Sequence, residues 1–99
     1  MIRHIVGWNF KENIEDKEAA AKEIKRVAEA MVGKIPGLLE LKVIINPLKT
    51  GTVDIILNSL LESEEALAGY QVHPEHINLG TNYVKPVTCN RACFDFVEN

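Results

Sequence analysis

The sequence predicts an α+β domain of order β-α-β-β-α-α-β, with a four-stranded antiparallel sheet carrying its helices on one face. Three observations predict it. The two ends of the chain alternate apolar and polar residues with the period of two that strands show. Between them, two stretches place apolar residues at helical spacing behind acidic, cap-forming starts. The segment from Val53 to Leu61 is apolar on both faces, so something must cover each of them.

The first strand runs from Ile2 to Phe10. Ile2, His4, Val6, Trp8 and Phe10 share one face, and Arg3, Ile5, Gly7 and Asn9 share the other. Asn13-Ile14-Glu15-Asp16 supplies a cap and an acidic first turn. Ile24, Val27, Ala28 and Met31 follow at helical spacing, and Gly33 suits a left-handed stop, so the first helix spans roughly 15–32. Pro36-Gly37 turns the chain into a second strand, 38–46, with Leu39, Leu41, Val43 and Ile45 on one face. A polar turn around Gly51 leads to the third strand, 53–61. There Val53, Ile55, Leu57 and Leu61 face one way, and Ile56 and Leu60 face the other with Asp54 and Asn58. Ser63 caps a short helix whose inward stripe is Ala66, Leu67 and Tyr70. His73-Pro74 interrupts it. Proline suits the first turn of a new helix, which then runs to about Val84 with His76, Leu79, Gly80 and Tyr83 on one face. Pro86 ends that helix. The last strand is 88–97, with Ala92, Phe94 and Phe96 on one face and Cys89, Arg91, Cys93 and Asp95 on the other.

With right-handed crossovers this order is ferredoxin-like. Its helices cover one sheet face only. A second copy of the chain is the simplest cover for the other, and two sheets packed face to face close into a barrel. The 99 residues make one domain. A chain this short buries about two-thirds of its unfolded surface, so association also helps its stability.

Composition narrows the function. A net charge of −3, with lysines and arginines interspersed among acids, argues against a nucleic-acid partner. No stretch approaches the ~18 apolar residues of a membrane span, and Met1-Ile2-Arg3-His4 does not open a signal peptide, so the expected location is the cytoplasm. Cys89 and Cys93 on one strand would have Cα atoms roughly 13 Å apart. That is too far to bridge; both are expected to be reduced, small apolar residues.

The chemistry-bearing residues are the three histidines and one tyrosine. His4 lies on the apolar face of the first strand, His73 and His76 flank Pro74, and Tyr70 precedes the kink by one turn. Histidine exchanges a proton near neutral pH, and a tyrosine hydroxyl donates to an oxygen gaining negative charge. This pattern suits His76 as base and Tyr70 as oxyanion donor in enolisation or aldol-type closure of a carbonyl substrate. The plainer alternative has His73 capping the third helix, His76 and Tyr70 bonded to each other in the core, and His4 buried against Asp54 or Asp95. His73-x-x-His76 with Glu75 and His4 offers zinc ligands, but Pro74 distorts the spacing, and no metal or cofactor is expected. Gly-rich phosphate loops, serine elbows and EF-hand loops are missing. Trp8 is expected in the core.

Ile2-Arg3-His4-Ile5-Val6 with Trp8-Asn9-Phe10-Lys11, then Lys34-Ile35-Pro36-Gly37, then Ser63-Glu64-Glu65-Ala66-Leu67 with Tyr70 and His73-Pro74-Glu75-His76, and finally Arg91 with Phe94-Asp95-Phe96, resemble in order and spacing the stress-responsive dimeric α/β-barrel (Dabb) domain family. The resemblance covers nearly the whole chain. It implies a homodimer of ferredoxin-like protomers with a pocket between sheet and helices in each. Plant polyketide cyclases of the olivetolic acid cyclase type, within this family, use a tyrosine and a histidine matching Tyr70 and His76, with a histidine matching His4 nearby. Leu61, Asp54, Arg91 and Cys93 depart from those relatives, and the last three make the pocket more polar. On this reading His4, Val6, Trp8, Asp54, Ile56, His73, Gly80, Cys93 and Asp95 line a pocket for a small apolar or carbonyl-containing ligand. The favoured function is a stress-responsive module that binds a small molecule or a partner without established catalysis; the alternative is a cyclase- or lyase-type enzyme using His76 and Tyr70.

Overall fold

The alternation of Ile2–Phe10 places this strand, β1, inside a sheet. The computed structural model describes residues 1–99. In it β1 is followed by α1 (Lys17–Glu29), β2 (Leu38–Ile44), β3 (Ile55–Leu61), α2 (Glu64–Val72), α3 (Pro74–Asn78), a π-helical turn (Leu79–Val84) and β4 (Thr88–Val97). The strands pair in the order β2-β3-β1-β4, and every neighbouring pair is antiparallel. This is the ferredoxin-like arrangement that the element order predicts, with β1 and β2 on either side of β3 and the crossover helix α1 between them.

Register assigns each face. His4 pairs with Ser59 on one side and Asp95 on the other, and Val6 pairs with Leu57 and Cys93. Those residues face the helices. The core includes Val6, Trp8, Phe10, Val43, Ile55, Leu57 and Leu61 against Ala21, Ile24, Ala28 and Met31 of the α1 region, Tyr70 of α2, and Leu79 and Val84 of the π turn. On the opposite face Ile5 pairs with Asn58 and Phe94, and Ile44 pairs with Ile56. No helix lies there, which leaves Phe94 60% and Phe96 47% exposed.

Several boundaries differ from the sequence reading, each for a physical reason. α1 begins at Lys17 because Asp16 is its cap, its carboxylate accepting from the Ala19 amide at 2.9 Å. Met31 stays buried beyond the helix end, in turns that close at Gly33 with φ +91°. The third helix divides at Leu79: the Lys85 amide reaches back five residues to the Gly80 carbonyl at 2.9 Å, so one extra residue is looped into the turn. β4 carries a bulge, since two steps along β1 from Gly7 to Asn9 match three along β4 from Ala92 to Cys89, and Asn90 takes the left-handed conformation at φ +54°. Cys89 therefore pairs with Asn9 instead of continuing the Arg91 face. Both cysteines are exposed and free, contrary to the expected burial, because β4 is the edge strand and packs chiefly on β1.

Gly37 holds the start of β2 against α2. Its φ is +81°, and a Cβ there would lie 2.5 Å from the Ala66 Cβ. Its carbonyl accepts from the Glu62 amide at 2.9 Å. Gly33 shares the left-handed conformation but faces open space. Gly33→Ala should cost only the ~1–2 kcal/mol of a left-handed alanine. Gly37→Ala adds an overpacking cost of about 1–3 kcal/mol. Urea unfolding of the two variants should therefore rank Gly37→Ala as clearly the less stable; equal midpoints would contradict this packing.

Candidate functional site

A cavity of ≈300 Å³ opens between the helix-facing side of β1 and the α3–π segment. His4, Val6 and Trp8 of β1 and Leu57 of β3 form its floor. Tyr70, His76, Leu79 and Gly80 form its roof, and Val84, Lys85 and the Thr88–Arg91 stretch close its end. The π turn and the β4 bulge are both at this wall, two irregularities that often mark functional sites.

Pro74 sets the roof's geometry. A residue before proline is driven into extended conformation, and His73 has φ −68° and ψ 138°. It ends α2 and caps α3, its Nδ1 accepting from the Glu75 amide at 3.1 Å. In an unbroken helix that amide would bond to the Gln71 carbonyl. The carbonyl is instead free for His76, whose Nδ1 lies 3.1 Å from it. A carbonyl only accepts, so Nδ1 carries the hydrogen and Nε2 keeps its lone pair. Burial lowers the His76 pKa below 6.5, and the nearby His4, Arg91 and Lys85 push it the same way, against the Gln71 bond. His76 is therefore a neutral base at pH 7.

The kink also stacks the roof residues. The Tyr70 and His76 rings are 4.5 Å apart between centroids, and His4 meets Tyr70 edge-on at 5.8 Å. Tyr70 is fully buried, and its hydroxyl has no hydrogen-bond partner. Burial drives its pKa up, so it remains a proton donor. The sequence alternative in which Tyr70 and His76 satisfy each other does not hold: His76 bonds to the Gln71 carbonyl and the hydroxyl bonds to nothing.

His4, 2% exposed, hydrogen-bonds Asp95, its cross-strand partner, through Nδ1. Cys93, two residues along the same strand face, lies 3.8 Å from that nitrogen and 3.6 Å from the Asp95 carboxylate. Burial and the Asp95 charge raise the Cys93 pKa, which keeps the thiol protonated and unsuited to nucleophilic attack. The ligand-type atoms of His4, Cys93 and Asp95 lie within 4.8 Å of one another, and they already bond among themselves as a brace fixing the His4 ring.

Of the residues predicted to line a pocket, the fold brings His4, Val6, Trp8, Tyr70, His76 and Gly80 to the cavity. Cys93 and Asp95 adjoin it through His4. Trp8 is both core and lining. Asp54 and Ile56 do not belong there: Ile56 pairs with Gly7 on the helix-free face, and Asp54 is an exposed residue accepting from the Phe10 amide at 2.9 Å. Alternation from Leu57 already placed them on that face. His73 borders a separate groove with Gly37, Glu62 and Ala66. The sequence reading missed Leu57, Leu79, Val84, Lys85, Thr88, Cys89 and Asn90 as lining; Arg91, which the resemblance counts among the pocket residues, borders the cavity. Leu57 and Leu79 lie on faces that alternation and helical spacing already assign; Val84, Lys85, Thr88 and Asn90 reach the cavity through the π turn and the bulge, and Cys89 borders it although its pairing with Asn9 takes it off the Arg91 face.

A dimer-forming class of ferredoxin-like domain fits this fold and site. The family model of the Stress responsive A/B Barrel Domain, Dabb, matches residues 2–98, and the chain belongs to that family. Among solved structures, a dimeric protein of unknown function with a ferredoxin-like fold from Bacteroides fragilis is 27% identical, with a TM-score of 0.86 over 96% of this chain and 93% of the other. A dimeric ferredoxin-like protein of unknown function from Thermobifida fusca is 20% identical, with a TM-score of 0.83 over 98% and 90%. The hydroxynitrile lyase of Passiflora edulis shares the fold at 14% identity, with a TM-score of 0.81 over 99% and 93%. No curated protein matches the chain in sequence. No helix is long and apolar enough to cross a membrane.

Two outcomes follow for stability. An unpaired buried hydroxyl costs about 1–3 kcal/mol. Tyr70→Phe should therefore be as stable as the wild type or more so in urea unfolding; a loss above about 1 kcal/mol, beyond the ordinary scatter of a neutral change, would mean the hydroxyl is bonded. The folded pKa of His76 lies below its unfolded value, so the unfolded chain takes up the proton first as the pH falls. The resulting stability is full above about pH 6.5 and is lost progressively below it. His76→Gln should make the unfolding midpoint fall less steeply between pH 7.5 and 5 than in the wild type; identical slopes would contradict a depressed His76.

Proposed function

We propose that the protein is a homodimer whose protomers each bind a small carbonyl compound in the cavity and carry out acid–base chemistry on it. One observation carries the chemical part: a base with a free Nε2 and a buried hydroxyl without a partner border the same cavity. In this reading His76 Nε2 removes a proton from the carbon beside the carbonyl. The C–H electron pair becomes the enolate double bond, and the carbonyl π pair moves to oxygen. Tyr70 donates its hydrogen bond to that oxygen, and its own missing bond is made only when the substrate is present. His4, held by Asp95, supports Tyr70 from the far side. The resemblance to cyclases with a matching tyrosine and histidine supports this assignment, as does the occurrence of a lyase on the same fold. The same cavity without turnover would make a binder, and that is the second reading. The proposal sets this activity in a small stress-responsive protein, as the family name has it, working in the cytoplasm.

The dimer part rests on the helix-free sheet face and on relatives described as dimeric. Ile5, Ile44, Ile56, Phe94 and Phe96 form an apolar surface there. Its one arginine is already satisfied: Arg3 makes a paired contact to Glu98 at 3.0 and 2.6 Å and bonds Asn58 at 3.1 Å, so a partner covering Arg3 does not strand that charge.

Deuterium uptake at the carbon beside a ketone carbonyl tests the chemistry. The wild type should accelerate it for small β-diketones. His76→Gln should slow the enzymic rate by about 10²–10⁴, and Tyr70→Phe by about 10²–10³. Exchange no faster than buffer, with saturable ligand binding retained, would leave only the binder. In light scattering the wild type should have twice the protomer mass, and Phe94→Asp should have the mass of one protomer with its folded circular dichroism intact. A monomeric wild type at micromolar concentration would refute the dimer.

A further inference from the structure

We infer that the cavity takes an organic carboxylate, with Arg91 as the group that binds the carboxylate end; this rests on the cavity being the ligand site proposed above. The chain has 14 acidic and 11 basic residues, yet the 14 residues bordering the cavity include Lys85 and Arg91 and no aspartate or glutamate. Neither cation forms an ion pair within the protein, although Arg3, Lys22, Lys25 and Arg26 all do. The nearest acid on the same strand face, Asp95, is taken up by His4 and Cys93. The cavity thus has an excess of positive charge at one end and an apolar body made by Val6, Trp8, Leu57, Leu79 and Val84.

Arg91 lies on the cavity side by alternation with Cys93 and Asp95, and the bulge turns Thr88 to that side as well. Thr88 is buried on the helix-facing side opposite Phe10, and in a regular strand it would point to the face opposite Arg91, three residues on. The extra residue, Asn90 at φ +54°, brings both to the same side. A guanidinium offers a planar pair of donors that matches a carboxylate, and its attraction strengthens beside an apolar wall. Lys85, carried at the end of the π turn, adds a second charge without that geometry. An anionic head at this end with a carbonyl further in would place the reacting carbon beneath Tyr70 and His76. A neutral ketone of equal size gains nothing from Arg91.

Trp8 is the only tryptophan and borders the cavity, so its fluorescence reports occupancy. The test titrates 4-oxooctanoate against 4-oxooctanamide, which have the same shape and differ in charge. The wild type should bind the carboxylate at least tenfold more tightly. Arg91→Gln should bring the two within about twofold while leaving amide affinity unchanged. His76→Gln should keep the preference, because it removes the base and not the anchor; that variant separates this inference from the proposed catalysis, which can fail while the preference holds. Equal wild-type affinities, a preference that survives in Arg91→Gln, or no saturable Trp8 response to either compound would overturn it.

Discussion

The structure depends on a sheet that is apolar on two faces and has helices for only one. Every side chain of consequence is placed by that asymmetry. Along β1 the alternation puts Val6, Trp8 and Phe10 under the helices and His4 among them, where a lone imidazole would be costly. Asp95, directly across the ladder, meets that cost, and edge strand β4 thereby acquires a role beyond closing the sheet. The other face leaves Phe94 and Phe96 open to solvent in the protomer, and the proposed dimer assigns a second copy to cover it.

The cavity follows from irregularities that interrupt this regular frame. Pro74 breaks the helix, and the hydrogen bonds displaced by the break determine the protonation of His76: Glu75 turns to His73, Gln71 is released, and His76 takes the released carbonyl. A residue looped into the π turn and another into β4 then hold the surrounding wall away from the floor. Gly80 contributes by lacking a side chain, since a Cβ there would meet open space. The proposed chemistry thus depends on backbone defects as much as on residue types.

This explains which parts were legible in the sequence. Strand alternation and helical spacing carry the element order, and the register faces follow from them, because burial selects for period. The break at Pro74 was legible because proline has a fixed local consequence. The bulge and the π turn were not, since each depends on how two packed elements share an odd residue; Asn90 is a residue type that accepts the left-handed conformation, but that alone does not locate a bulge, and Leu79–Val84 carries no local mark of its turn. Alternation with Cys93 and Asp95 places Arg91 on the correct face, and only the bulge brings Thr88 to the same wall. The sequence leaves Asp54 and Asp95 both open as partners for a buried His4. Register assigns Asp54 to the opposite face and leaves Asp95 as the partner.

The account turns on the state of one ring. Nitrogen NMR of the protein labelled at histidine nitrogens measures it directly, with His76→Gln identifying the signal. The account predicts that His76 is neutral at pH 7, with its hydrogen on Nδ1 and a bare Nε2, and that it titrates below 6.5. A His76 that is charged at pH 7, or neutral with its hydrogen on Nε2, would contradict it, because His76 would then offer the cavity no lone pair.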